Sequence, residues 1–245
     1  MTARFPLLAL VLALLLSAPA YGQAPAPPTP DALRDSIESV LDRTGAPGAG
    51  VVLFSADSIR WEGYFGVADR ADDRPVTEET VFRAGSLSKS LVSTVALLLA
   101  ENGQLDLQAP VRDRVPEIEI QNPWADSDPV RVGHLLEHTA GFDDLEIHEY
   151  VSRSPDLTLR EGLAINPASR TVRWQPGMYD SYSNAGPPVA AYLLQQKTGQ
   201  PFEALVVDRI FEPLGMTASS FRRDERVRAP LATGYAADRA PGTPD

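Results

Sequence analysis

Residues 82–89 read Phe-Arg-Ala-Gly-Ser-Leu-Ser-Lys, and an almost uninterrupted apolar run follows from Leu91 to Ala100. Glycine and serine fit the entry of a helix, and Gly103 is typical of the end of one. The pattern therefore predicts a helix over 86–100. Because its apolar side chains go all the way round, we expect this helix to be buried at the centre of the fold.

Within this helix, Ser86 and Lys89 lie three positions apart, which places both side chains on one face. Serine is a weak nucleophile until a base removes its proton. Lysine can be that base where burial disfavours its ammonium form, whereas arginine stays protonated. Of the 22 basic residues in the chain, only Lys89 and Lys197 are lysines. The lysine at position 89 therefore favours Ser86 as a nucleophile and Lys89 as its base.

A second candidate motif, Tyr182-Ser-Asn184, precedes a predicted helix over 187–196. A tyrosine hydroxyl can relay protons, and an asparagine amide can hold a substrate carbonyl. The same residue types also favour surface turns. Two such motifs in one chain, each at the start of a helix, point to a shared site.

The other predicted elements place strands early in the chain and helices later, which is an α+β order. An amphipathic helix is predicted over 31–43 and ends at Gly45. Strands over 48–55 and 59–67 flank Ala56-Asp57, a predicted hairpin turn. Further helices are predicted over 132–138 and 201–211.

These motifs resemble those of serine β-lactamases and penicillin-binding proteins, and most closely those of class C β-lactamases and related peptidases and esterases. Residues 82–89 are similar to the first family motif, and Tyr182-Ser-Asn184 is similar to the second. The resemblance extends over about residues 31–235 through three further phrases. They are Leu135-Leu-Glu-His-Thr-Ala-Gly141, Ile210-Phe-Glu-Pro-Leu-Gly-Met216 and Asn102-Gly-Gln-Leu-Asp-Leu107.

The resemblance implies that Ser86 is the acylated nucleophile and that Asn184 contacts the substrate. Lys89 and Tyr182 then share the acid–base work. The implied function is a serine hydrolase acting through an acyl-enzyme on a β-lactam, a D-Ala-D-Ala peptide or a small ester. No cofactor or metal is implied. The expected fold is α+β and β-lactamase/transpeptidase-like, with an all-α lobe packed on an antiparallel-sheet α/β lobe and the site between them.

The third motif of that family, a Lys/His-Thr/Ser-Gly sequence on a sheet strand, is not recognisable. Lys197-Thr-Gly199 has the right letters but follows Asn184 by 13 residues. It lies at the predicted end of a helix, where Gly199 is an ordinary cap. The strands that complete the family's sheet are also missing after Tyr235. We therefore expect a C-terminally truncated domain over 31–245, with a marginal fold and low activity.

Two other functions remain open on the sequence. His134-Leu-Leu-Glu137-His138 fits the His-x-x-Glu-His pattern of a zinc metallopeptidase, with the histidines one helical turn apart. The short helix predicted there leaves little room to hold such ligands. The other alternative is an inactive, truncated binding remnant, although a remnant has no need to retain the nucleophile and its base.

Residues 1–22 have the pattern of a secretory signal peptide: Arg4, an apolar run from Phe5 to Leu16, and small residues before a cleavage site. The run is too short to span a bilayer comfortably. Residues 23–30, Gln-Ala-Pro-Ala-Pro-Pro-Thr-Pro, predict a stiff linker. We expect a secreted or periplasmic protein with no membrane span once the signal is removed.

Charge and composition narrow the expected partners. The 245 residues carry a formal net charge of −11, which disfavours binding to nucleic acid or to anionic membranes. The sequence contains no cysteine, which excludes disulfides, thiol nucleophiles and cysteine-based metal sites. The expectation is a monomer with a small-molecule or peptide substrate.

Overall fold

The computed structural model describes residues 29–150 and 157–235. This part of the chain divides into two compact units. The first unit ends at Glu78 and resumes at Thr233, and the second unit is Glu79–Ala232. In sequence, the second unit is thus inserted between two segments of the first.

The predicted signal peptide over 1–22 lies outside the described residues, as does all but the end of the predicted linker over 23–30. Helix α1, Pro30–Thr44, starts one residue earlier than predicted, so its proline belongs to the helix and not to the linker. The Thr29 side chain caps the helix by accepting a hydrogen bond from a first-turn N–H at 3.2 Å. Gly45 ends the helix in the left-handed conformation, as predicted.

A β-hairpin forms most of the sheet in the first unit. Strand β1, Gly48–Ser55, pairs antiparallel with β2, Ser58–Asp69, across the turn Ala56-Asp57. This pairing confirms the predicted hairpin. A two-residue strand, β3, Arg74–Pro75, pairs with the end of β2. It was not predicted, because two residues are too few to show a strand pattern.

Residues 233–235 return to the first unit and are fastened to the end of β2. The Thr233 hydroxyl donates to Asp69 Oδ2 at 2.6 Å. The Arg70 N–H donates to the Tyr235 hydroxyl at 2.6 Å, and the Arg70 guanidinium lies 5.0 Å from the centroid of the same ring. Residues 164 positions apart in the sequence are thereby joined in one unit.

The second unit is helical. In chain order its helices are α2 (Ser88–Glu101), α3 (Val132–Leu136), α4 (Ile147–Tyr150), α5 (Leu159–Ile165), α6 (Gly186–Thr198), α7 (Phe202–Val206) and α8 (Glu225–Arg228). A 3₁₀ turn, Gly85–Leu87, leads into α2, and a π-helical turn, Val207–Phe211, continues α7. Within the described residues, no helix is long and apolar enough to cross a membrane. The strands lie early in the chain and most of the helices lie later, which confirms the predicted α+β order.

The core of the second unit surrounds α6. This helix packs against α2, α3, α5 and α7. Every residue from Val189 to Leu194 is buried. The predicted helix over 187–196 is thus confirmed, and it is the element around which the other helices of this unit are arranged.

The expectation that the helix after the first motif is buried on every side is wrong. Helix α2 buries the face that carries Val92, Val95 and Leu99, but Leu97 is 54% exposed. The helix is apolar all round in composition, whereas its packing partners α6 and α7 cover one side of it. Helix α6 takes the central position instead.

Candidate active site

Ser86 lies in the 3₁₀ turn that leads into α2. Gly85 enters that turn with a φ of 54°, a left-handed conformation that glycine adopts without a steric penalty. The turn continues into α2, so Ser86 and Lys89 fall on one face. Ser86 is exposed and Lys89 is partly buried, which leaves the hydroxyl open to solvent and the lysine beneath it partly covered.

The side chains of Lys89 and Tyr182 both contact the Ser86 hydroxyl. Lys89 Nζ lies 3.0 Å from Ser86 Oγ, and Tyr182 Oη lies 2.9 Å from the same oxygen. Lys89 Nζ also lies 5.1 Å from the centroid of the Tyr182 ring. The structure therefore joins the two sequence motifs, 96 residues apart, in one hydrogen-bonded cluster.

Asn184 joins this cluster through Tyr182. The Tyr182 hydroxyl donates to Asn184 Oδ1 at 3.3 Å. At the other end of the amide, Asn184 Nδ2 donates to both carboxylate oxygens of Asp144, each at 3.1 Å. The Asn184 backbone N–H donates to Asp144 Oδ1 at 2.7 Å. All four residues proposed from the sequence are brought together, and Asp144 is a fifth member that the motifs did not predict.

Contacts outside the cluster hold Asp144 beside the second motif. Ser183 Oγ donates to the Asp143 carbonyl at 2.7 Å, and the Asp143 carboxylate forms an ion pair with Arg173. The sequence signal for Asp144 is its place in an acidic pair soon after the Leu135–Gly141 phrase. A contact between residues 40 positions apart cannot be read from such a pair.

The cluster shifts the ionisation of two of its members. Interaction with Lys89, followed by the hydrogen bond with Ser86, holds the pKa of the Tyr182 phenol below its ordinary value. Desolvation by burial tends to raise the pKa of Asp144. Hydrogen bonds from Asn184 and from a neighbouring backbone N–H outweigh that desolvation and hold the Asp144 pKa below its ordinary value. Asp144 is therefore ionised at neutral pH.

The His-x-x-Glu-His pattern does not form a metal-binding group. Helix α3 ends at Leu136, so Glu137 and His138 lie beyond it. His134 Nδ1 accepts from a backbone N–H three residues earlier, and His138 Nδ1 accepts from the Ser183 N–H. Across residues 29–150 and 157–235, no group of three or more histidine, cysteine or acidic side chains is arranged to hold a metal ion. The described part of the chain therefore gives no support to the zinc peptidase alternative.

The sequence Lys197-Thr-Gly199 lies at the C-terminal end of α6. Gly199 has a φ of 70°, and its N–H donates to the Gln195 carbonyl at 2.9 Å, so it caps the helix as predicted. Asn184 precedes the other end of the same helix, whose 13 residues span roughly 20 Å. Lys197 therefore does not belong to the cluster around Ser86.

Sequence comparison links the chain to a known family. The family model described as Beta-lactamase matches residues 33–245. A β-lactamase from Yersinia enterocolitica is 28% identical over 203 residues, which are 83% of this chain and 50% of that protein. The esterase EstB from Burkholderia gladioli is 31% identical over an alignment of 201 residues, and the match covers 76% of this chain and 50% of that protein. The chain spans about half the length of these curated relatives.

Structural comparison agrees with the sequence. The octameric penicillin-binding protein homologue from Pyrococcus abyssi has a TM-score of 0.76 and 27% sequence identity to this chain. The match covers 84% of this chain and 48% of that one. The expected β-lactamase/transpeptidase-like fold is therefore confirmed over the part that is shared.

Proposed function

The chain belongs to the beta-lactamase family, and from this premise we propose that it is a serine hydrolase working through an acyl-enzyme on Ser86. The observation that carries the proposal is the 3.0 Å contact between Lys89 Nζ and Ser86 Oγ. A serine hydroxyl needs an adjacent base before it can attack a carbonyl. A lysine amine within hydrogen-bond distance is able to act as that base.

In the proposed acylation step, Ser86 Oγ attacks the substrate carbonyl carbon as its proton passes to Tyr182 Oη, and the Tyr182 proton passes to Lys89 Nζ. The tetrahedral oxyanion then collapses, and the bond from the carbonyl carbon to the leaving nitrogen or oxygen breaks. Tyr182, whose Oη lies 2.9 Å from Ser86 Oγ, gives a proton to the leaving group and regains one from Lys89. The products are a Ser86 ester and the protonated leaving group.

In the proposed deacylation step, a water molecule attacks the carbonyl carbon of the Ser86 ester and gives up a proton to Lys89. The ester bond breaks, the carboxylic acid leaves, and Ser86 regains a hydrogen from the same lysine. Lys89 thereby ends the cycle with the same number of protons with which it began. This sequence uses side chains of the chain and water, with no metal or cofactor.

We propose the Ser86 backbone N–H as one donor to the oxyanion. It lies in the turn that opens into α2, where the first N–H groups of a helix lack partners within the helix. The helix dipole also favours negative charge at this end. Preorganised donors of this kind contribute strongly to acyl transfer because they are aimed at charge that develops during the reaction.

The proposed substrates are a β-lactam, a D-Ala-D-Ala peptide or a small ester, and Asn184 is the proposed contact to the substrate. The names of the relatives support this range, since they are a β-lactamase, an esterase and a penicillin-binding protein homologue. The exposure of Ser86 and Tyr182 supports access by a ligand that arrives from solvent.

The test is covalent labelling of the purified chain with a fluorophosphonate, followed by intact-mass and peptide analysis. We expect one adduct, on Ser86, and none on the Ser86→Ala variant. Ser90→Ala is the matched control, because Ser90 is an exposed serine in α2 whose hydroxyl donates to the Leu87 carbonyl in the preceding turn. It should label like the wild type. Absence of an adduct on the wild type would contradict the proposal and favour the inactive binding remnant.

We also propose that the chain is exported and monomeric. The support for export is the signal-peptide pattern of residues 1–22. Expression of the full chain in a bacterium, followed by fractionation and N-terminal sequencing, should recover a periplasmic or secreted form that begins after the small residues. Light scattering on that form measures its mass, and a value above that of one chain would contradict a monomer.

A further inference from the structure

We propose that Asp144 is a positioning residue that sets the direction of the hydrogen bonds running through Asn184 and Tyr182 to Ser86. In this arrangement the Tyr182 hydrogen points away from the nucleophile. The consequence for reactivity rests on the proposed function, because it supposes that the Ser86 oxygen attacks a carbonyl. The direction of the hydrogen bonds themselves follows from geometry alone.

Hydrogen-bond donors surround the Asp144 carboxylate. Asp144 Oδ1 accepts from the backbone N–H of Asn184 and from that of Leu145, each at 2.7 Å. Asn184 Nδ2 lies 3.1 Å from both carboxylate oxygens. An ionised carboxylate only accepts hydrogen bonds. The Asn184 amide must therefore turn its nitrogen towards Asp144 and its oxygen to the opposite side.

The oxygen of the Asn184 amide faces the tyrosine hydroxyl. Asn184 Oδ1 lies 3.3 Å from Tyr182 Oη. A carbonyl oxygen has no hydrogen to give, so Tyr182 must be the donor in this contact. A phenol carries one hydrogen, which this contact uses. In the 2.9 Å contact between Tyr182 and Ser86, where either oxygen is a possible donor by distance, the tyrosine oxygen is therefore the acceptor.

The direction of this hydrogen bond matters for the nucleophile. Ser86 Oγ already accepts from Lys89 Nζ at 3.0 Å, so a hydrogen donated by Tyr182 would occupy the second lone pair, which the attack on a carbonyl requires. The Asn184 carbonyl prevents this, because it offers the tyrosine hydrogen another acceptor. Asp144 itself does not touch Ser86 in this chain of contacts, so it acts through Asn184 and Tyr182.

The substitution Asp144→Asn is designed to reverse the direction of these hydrogen bonds while keeping the two backbone hydrogen bonds that residue 144 accepts. Its amide oxygen can still accept from the Asn184 and Leu145 backbone N–H groups, while its NH₂ replaces the second carboxylate oxygen. That NH₂ faces the Asn184 NH₂, so the Asn184 amide turns over and presents an N–H to Tyr182. The tyrosine hydrogen then turns to Ser86.

We expect Asp144→Asn to lower the second-order rate constant for fluorophosphonate labelling of Ser86 by about tenfold, the effect of one misdirected hydrogen bond. The melting temperature should match the wild type, because the backbone contacts of position 144 are kept. A wild-type labelling rate in this variant would overturn the proposal.

A double variant, Asp144→Asn with Asn184→Asp, should restore the original direction of the hydrogen bonds and with it the labelling rate. The new amide at position 144 donates to the new carboxylate at position 184, whose other oxygen again accepts from Tyr182. Labelling should recover several-fold over Asp144→Asn alone. If the double variant labels no faster than the single one, a purely structural role for Asp144 is the better account, and the proposal is overturned.

Neutron diffraction from deuterated crystals of the wild-type chain separates this inference from the proposed function. The expected map shows the Tyr182 deuteron directed at Asn184 Oδ1. A deuteron directed at Ser86 Oγ overturns the inference, whatever the labelling rates are. If the wild type is not labelled at Ser86, the proposed function fails, and the neutron map still decides the direction of the hydrogen bonds.

Discussion

The imidazole of His138 lies against the phenol of Tyr182, with the ring centroids 4.5 Å apart and the planes at 34°. His138 has a φ of 60°. Its carbonyl accepts from the Ser181 N–H at 2.9 Å, and its Nδ1 accepts from the Ser183 N–H at 3.3 Å. One residue therefore holds the backbone on both sides of Tyr182 and one face of its ring.

Two substitutions of His138 should separate its backbone role from its ring contact. His138→Ala loses the contact and forces alanine into the left-handed conformation, which costs about 1–2 kcal/mol. His138→Asn also loses the contact, but asparagine tolerates that conformation well. We expect both variants to label more slowly at Ser86, and urea unfolding to show the larger loss of stability for alanine. Wild-type labelling in both would mean that the ring contact does not position Tyr182.

Lys89→Arg should be nearly as damaging as Lys89→Ala, although it keeps the positive charge. A guanidinium does not lose its proton in proteins, so it cannot serve as the base. Loss of an acid–base partner typically costs about 10²–10⁴-fold in rate, measured here as the labelling rate constant or as kcat/KM. Lys197→Arg is the control and should behave as wild type, since Lys197 is exposed at the end of α6. Activity of Lys89→Arg above about a tenth of wild type would contradict the assignment.

Gly85→Ala and Gly103→Ala form a matched pair at the two ends of α2. Both glycines have a positive φ, 54° and 69°, and a Cβ at either position would meet no atom within 4 Å. Each substitution should cost about 1 kcal/mol of stability through backbone strain alone. Only Gly85→Ala should slow the labelling of Ser86, because it alters the turn that presents the hydroxyl. Equal labelling in the two variants would argue against a role for that turn geometry.

The lowered pKa of Tyr182 predicts an alkaline limit to activity. The interaction with Lys89 is the largest cause of the shift, followed by the Ser86 hydroxyl. The phenol therefore loses its proton below the pKa of about 10 that is ordinary for tyrosine. The proposed mechanism needs the protonated phenol, so kcat/KM for an alkyl ester should fall as the pH rises through this lowered pKa.

The control for that pH profile is the leaving group. A p-nitrophenyl ester releases p-nitrophenolate, which leaves without being protonated. The alkaline decline in kcat/KM should therefore be weaker for this ester than for an alkyl ester. In Tyr182→Phe the residual activity should lose the decline. If the same decline persists in Tyr182→Phe, another group is responsible for it.

Short-range geometry explains what could be predicted from the sequence. The approach of Lys89 to Ser86 follows from a spacing of three residues on a helical turn. The hairpin follows from two strand-like runs that flank the turn residues Ala56-Asp57. The end of α6 follows from Gly199. In each case the residues that determine the feature are neighbours in the chain, so no knowledge of the tertiary structure is needed.

The features that escaped prediction depend on distant segments. The bonds from Asn184 to Asp144 join residues 40 positions apart, and no motif marks Asp144. The exposure of Leu97 depends on which face of α2 meets its neighbours, because an evenly apolar helix has no preferred face. His138 was recognised as part of a phrase, but its ring contact depends on where Tyr182 lies.

The hydrogen bonds from Thr233 and Tyr235 to the end of β2 affect the order in which the protein can fold. The hairpin leaves the ribosome long before these residues, which lie 164 positions further along the chain. At about 5–20 residues per second, the delay is on the order of ten seconds. The second unit is continuous in sequence and ends at Ala232, directly before Thr233. The first unit therefore lacks these hydrogen bonds until Thr233 and Tyr235 have been made, and a proteolytic cut just before Thr233 would separate both residues from the hairpin.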